Sequence, residues 1–140
     1  MKWVGQNTAP SSRVLVITGE PWWRDRTSEW FPVLANRASV ATPQGLEWVP
    51  NGRFSETRDA HDAVQNCADQ SPSCLAVWSY GSGIPYDTVF VSKTVPAAVK
   101  RLGYDDCCSA LRASLLQDPA YGVVYDGPGA TIFASRRLTP

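Results

Sequence analysis

The run "RVLVIT", Arg13 to Thr18, decides how the rest of the chain is read. It is short, apolar and β-branched, and it stops at Gly19, as a strand buried on both faces of a parallel sheet does. After the break at Glu20-Pro21, Thr27 or Ser28 can cap a helix that carries Trp30, Phe31, Leu34 and Ala35 inward at helical spacing. Pro32 is tolerated there if it falls in the first turn. "ASVAT" (38–42) reads as a second small strand, and "LEWVPNGRF" (46–54) as an extended arm turning at Asn51-Gly52. A helical segment from Ser55 passes through Ala60, Val64 and Cys67, with a second piece over 74–78. "DTVFVSK" (87–93) repeats the strand pattern. Asp105 or Asp106 can cap a helix placing Cys108, Leu111, Leu115 and Leu116 on one face, which Pro119 ends. "YGVVYD" (121–126) and "ATIFASR" (130–136) flank Gly127-Pro128-Gly129 and should pair as an antiparallel hairpin.

Alternation of strands and helices implies an α/β domain. The expectation is a small Rossmann-like three-layer sandwich, with a mainly parallel sheet and a C-terminal antiparallel hairpin. Residues 1–12 read as a polar leader or linker, 13–137 as the single domain and 138–140 as a tail. At 140 residues the chain has the size of one domain with one core. Thirteen basic and thirteen acidic side chains cancel, leaving no electrostatic footprint for nucleic acid. No apolar run approaches the roughly 20 residues that span a bilayer.

In α/β sheets ligands sit beyond the carboxyl ends of the strands. There, "GEPWWRDRTSEWFPVLANR" (19–37) packs three of the six tryptophans, three acids and three arginines together. With "QGLEW" (44–48) it offers Trp22, Trp23 and Trp48 beside Glu20, Asp25, Glu29, Arg37, Gln44 and Glu47. Indole faces ringed by carboxylate and amide groups suit a sugar, whose CH faces stack while its hydroxyls form hydrogen bonds. The plainer alternative is packing, with Glu29 and Arg37 simply paired. Glu20 and Glu47 would be the two carboxylates of a glycoside hydrolase, but nothing in the sequence fixes their separation. "TGEPWWRD" contains no G-x-G-x-x-G, which argues against a dinucleotide, and no cofactor is expected.

Four cysteines allow three pairings. The Ser-Pro turn in "ADQSPS" favours a bridge between Cys67 and Cys74, and adjacent Cys107 and Cys108 do not easily bridge each other. Four buried thiols are the alternative. The spacing is not that of a zinc site, so no metal is expected, and lone His61 reads as a surface or internally satisfied histidine.

The blocks "VLVITGEPWW.D..SEWFPVLANR.SVATPQGLEW", "VFVSK", "CCSALRASL" and "YGVVYDGPGATIF", with the spaced Cys67 and Cys74, resemble the carboxyl-terminal soluble region of polytopic bacterial membrane glycosyltransferase-like proteins of the lipid-linked-donor type. The likeness covers about Arg13 to Arg136. "WWRD" invites comparison with the Trp-Trp-Asp signature of oligosaccharyltransferases, but the residues that follow in that signature are absent here, so acceptor-peptide binding is not carried over. The resemblance implies a tail domain on the extracytoplasmic side of the cell membrane, soluble as a fragment and catalytically silent, with the catalytic acids in the parent's membrane domain. Its partners would be that membrane domain and a glycan or polypeptide acceptor. A free-standing carbohydrate-binding module is the alternative, and a glycoside hydrolase the more distant one.

Overall fold

The computed structural model describes residues 1–95 and 97–136; the expected tail at 138–140 lies outside them. In chain order the elements are α1 (Lys2–Asn7), β1 (Arg13–Ile17), α2 (Arg26–Ala35), β2 (Ala38–Val40), α3 (Phe54–Gln65), α4 (Pro72–Ser82), β3 (Thr88–Ser92), α5 (Ala97–Lys100), α6 (Ser109–Gln117), β4 (Tyr121–Asp126) and β5 (Ala130–Ser135). Short 3₁₀ turns lie at Leu46–Trp48 and Asn66–Asp69.

One five-stranded sheet runs in the order β2-β1-β3-β5-β4. β1 pairs parallel with β2 and β3, whereas β5 pairs antiparallel with β3 and β4. The sheet is therefore mixed, not mainly parallel as its alternating elements suggest. The hairpin forms at Gly127–Gly129 as expected, but it docks through β5 and so adds an antiparallel half. Its outer strand carries a bulge: Val123 faces Phe133 and Tyr125 faces Ile132, leaving Val124 as the extra residue.

Alternation along the central strands feeds two cores. Leu15, Ile17, Val89, Val91 and Phe133 point to the face covered by α3, α4 and α6, where Val64, Leu75, Trp78, Leu111 and Leu115 meet them. Val14, Val16, Phe90 and Ile132 point to the other face, against Phe31 and Ala35 of α2 and Val4 of α1. Helices thus cover both faces, giving three layers.

Four local expectations are corrected. The polar stretch 1–12 holds α1, whose Val4 is wholly buried. Gly5 permits this, because a Cβ there would come within 2.6 Å of the Ala35 carbonyl oxygen. The segment 46–54 is no extended arm; it holds a 3₁₀ turn and the start of α3. Helix α2 is capped by Asp25, whose side chain accepts from Ser28 N, and not by Thr27 or Ser28. The inward stripe is Ser28, Phe31 and Ala35, while Trp30 and Leu34 face outward, with Trp30 51% exposed. Pro32 consequently sits mid-helix instead of in the first turn. Finally, α6 begins after Cys108, with Leu111 and Leu115 buried and Leu116 exposed.

Candidate functional site

From β1 the chain moves outward to β2 on one side, then returns to build β3 on the other. That reversal opens a crevice at the carboxyl ends of β1 and β3, where α/β sheets place ligands. A cleft of about 230 Å³ lies there, lined by Thr18, Glu20, Arg24, Asp25, Ser92 and Thr94 among others. A neighbouring hollow of about 240 Å³ shares Thr18 and Glu20 and adds Cys107 and Cys108.

The wall of the cleft is held by a bonded polar network. Thr18 Oγ1 donates to Asp25 Oδ2 at 2.7 Å, and Ser28 donates to the same carboxylate from its amide (2.9 Å) and hydroxyl (2.7 Å). From α3, Gln65 Oε1 accepts the amides of Thr18 (2.8 Å) and Gly19 (2.9 Å), while its Nε2 donates to Val16 O at 3.0 Å. One amide side chain thereby takes up the peptide groups left over where β1 stops. Gly19 makes the turn with φ of 70°, a left-handed conformation that glycine adopts without steric cost.

His61, one helical turn before Gln65, is buried in the same layer. Its Nδ1 lies 3.0 Å from Ala41 O, and its Nε2 lies 3.3 Å from Glu20 O and 3.4 Å from Asp25 Oδ2. It is the internally satisfied histidine of the two sequence readings. Asp25 is likewise fully engaged and buried, so it shapes the cleft wall and has no free oxygen aimed at solvent.

Glu20 is different. Its side chain is partly exposed to the cleft, 3.7 Å from Arg24 Nε. Burial raises its carboxyl above the ordinary glutamate value; Arg24 pulls the other way, and Asp25 adds to the rise. A carboxyl that keeps its proton more readily than usual donates as well as accepts hydrogen bonds to a higher pH than an ordinary glutamate does.

The other sequence candidates scatter. Trp22 is pinned by its amide to Asp62 Oδ1 at 2.9 Å and set edge-on to Phe54. Gln44 Nε2 donates to Trp22 O at 2.6 Å, tying the 43–45 turn to the tryptophan loop. Trp23 is 65% exposed, with the Arg24 guanidinium 5.4 Å from its ring. Trp48 is 87% exposed, and Glu47 Oε2 accepts from Gly45 N at 2.6 Å. Neither Glu47 nor Trp48 lines the strand-end cleft or its neighbour, so the structure does not bring Glu20 and Glu47 together in either hollow. Glu29 pairs with Arg26 at 3.6 Å, not with Arg37. Arg37 instead donates to the carbonyls of Gly5 (2.8 Å) and Thr8 (2.6 Å), closing the end of α1.

Both cysteine pairs are disulfides. Cys67–Cys74 forms as the turn predicts, with Cα atoms 5.6 Å apart. Cys107 and Cys108, which the sequence reading kept apart, are joined to each other and stand against Gly19 at the end of β1. Arg112 braces this corner, donating to Cys107 O, Ser92 O and the Asp106 carboxylate. Reading along the chain missed Gln65, Ser92 and Arg112. The available signal for Gln65 was a polar residue four after His61, on the helix face that also carries Val64.

No protein-family model matches the chain, and no curated protein or solved structure matches it either.

Proposed function

We propose that this chain is a non-catalytic binding domain of a membrane glycosyltransferase-like protein, working on the extracytoplasmic side and holding a glycan or polypeptide acceptor in the strand-end cleft. The observation that carries the reading is the cleft itself. It lies where the sheet reverses direction, it offers Glu20 and Arg24 as polar groups, and its remaining wall is fixed in advance by the Thr18–Asp25–Gln65 network. A preformed cavity with a few convergent polar groups is what small-ligand recognition needs. Trp23, stacked on Arg24, extends the rim with an aromatic face.

Two further features support the assignment. Paired cysteines suit an oxidising compartment. Of the acid-base groups near the cleft, two are occupied in holding structure: Asp25 bonds Thr18 and Ser28, and His61 faces three oxygen acceptors. Among the described residues no helix is long and apolar enough to cross a membrane, so the spans of the parent would lie in another part of the gene. A full-length gene carrying a series of apolar spans next to this segment is the expected outcome.

The binding test is a titration of the purified chain with a panel of oligosaccharides and lipid-linked sugar headgroups, followed by tryptophan fluorescence and amide shifts. Perturbation should centre on Thr18, Glu20, Arg24 and Thr94, and Glu20→Gln or Arg24→Ala should weaken binding about tenfold, the value of one hydrogen bond to a charged group. Turnover of any of these sugars that disappears in Glu20→Gln would replace the binding reading with a hydrolase.

A further inference from the structure

We infer that the strand-end cleft is the middle of a groove for a linear, uncharged oligosaccharide three units long or longer. The inference rests on the reading of the cleft as a glycan site and extends it.

Three hollows lie in a row across the carboxyl end of the sheet. The cleft at Thr18 and Ser92 shares Thr18, Glu20 and Val95 with the hollow at Cys107 and Cys108. On its other side it shares Thr27, Ser92 and Thr94 with a third hollow, of about 280 Å³, which reaches Phe90, Tyr125 and Ala130. Ala68 and Cys108, in one end hollow, belong to the core under α3, α4 and α6, whereas Phe90 and Ala130, in the other, belong to the core under α1 and α2. The row therefore passes over the strand ends from one helical layer to the other. Each hollow is smaller than the roughly 300 Å³ at which single ligand sites begin, and jointly they fall inside the usual range. The hollow of about 430 Å³ between α3 and α4 shares no residue with this row and has no charged side chain in its lining.

The chemistry along the row is polar in the middle and aromatic at both ends. Tyr104, 64% exposed, lines the hollow beside Cys107. Tyr125 lines the third hollow and is held by stacking on Trp3, with ring centres 5.2 Å apart. Between them Glu20 offers an acceptor, Arg24 a donor and Thr27 a hydroxyl that is unbonded among the described residues. Rings take the CH faces of sugar units, and the polar groups take their hydroxyls. The basic side chains of the row, Arg24 and Arg26, pair with Glu20 and Glu29, which leaves no unmatched cation among the described residues for an acidic chain. An extended peptide would be recognised through free main-chain groups at a sheet edge. Here those groups are engaged: Thr18 N and Gly19 N donate to Gln65 Oε1, Lys93 N to Gly129 O and Thr94 N to Ser92 Oγ.

The intact chain is titrated, by calorimetry and amide shifts, with cello-, manno- and malto-oligosaccharides of one to six units. In a series that binds, affinity should rise about fivefold with each unit up to three, the effect of one added ring contact, and level off beyond. Shifts should begin at Thr18, Glu20 and Thr94 and spread to Tyr104 and Tyr125 as the ligand lengthens. Tyr104→Ala should weaken the trisaccharide about fivefold and leave the monosaccharide unchanged. Affinity independent of length, with shifts confined to the middle hollow, overturns the groove and leaves the single-cleft reading standing. Absence of any shift in all three series overturns both. Tighter binding of a Ser-Pro peptide of matching length overturns the oligosaccharide as the occupant. The length series needs no variant, so it decides the matter even if Tyr104→Ala fails to fold.

Discussion

The tryptophan-bearing surface and the cleft beside it are built on opposite plans. Trp23, Trp30 and Trp48 present large exposed rings. The cleft wall is held by polar side chains, Thr18 and Asp25 in its lining with Ser28 and Gln65 behind them, each buried and bonded. The conspicuous residues therefore make area, and the inconspicuous ones make position. Exposed rings can be lost with little effect on the fold, because their burial was never part of it. A bonded network cannot lose one member without stranding the others.

Substitutions along α2 put that contrast at risk most directly. Phe31, wholly buried and edge-on to Phe90, should cost about 3 to 5 kcal/mol on truncation to Ala. Asp25→Ala removes the cap of α2 and the acceptor of the Thr18 and Ser28 hydroxyls; roughly 2 to 3 kcal/mol is expected from the lost cap and the stranded donors. Urea unfolding of each variant gives both numbers. By the same measurement Trp30→Ala, Trp23→Ala and Trp48→Ala should each stay within about 0.5 to 1 kcal/mol of the parent, as surface changes do. A Trp30→Ala loss comparable to that of Phe31→Ala would show that the outward turn of α2 is wrong.

The smallest effect sharpens the comparison from the cleft side. Glu20 has a raised carboxyl pKa in the folded chain, so the native state holds its proton at pH values where the unfolded chain has released it. Its contribution is complete below the unfolded value and is lost as pH rises through the folded one. Glu20→Gln should remove that decline, so the stability of the variant relative to the parent should rise as pH climbs from about pH 4 upward. Paired urea titrations across that range test the sign; a relative fall would mean that the Arg24 pairing outweighs burial.

The chain announces some of this and conceals the rest. β1 and β3 are visible because a strand buried on both faces must be a short continuous apolar run, and the terminal hairpin because Gly-Pro-Gly allows little else. The mixed sheet is invisible from order alone, since whether a final hairpin joins through β4 or β5 is decided by packing between distant segments. α1 escapes notice because only Val4 of its six residues is buried. The start of α2 is ambiguous because Asp25, Thr27 and Ser28 are all good capping residues, and its inward face because Trp30 with Leu34 and Phe31 with Ala35 are both apolar pairs at helical spacing, between which packing on the sheet chooses. Glu20 is legible through the strand-end rule. Its neighbours Ser92, Cys107 and Cys108 lie more than seventy residues further along, and proximity of that kind leaves no local trace.

The bulge at Val124 has a consequence for the sheet's outer boundary. An open sheet ends in two rows of unpaired peptide groups, which invite a second molecule to add a strand. Here one rim, β2, is only three residues long. The other, β4, exposes Val123 and Val124, yet the extra residue breaks its regular spacing of donors and acceptors. A neighbouring copy laid along β4 would find its ladder out of step halfway, so the irregularity keeps an apolar rim from templating growth.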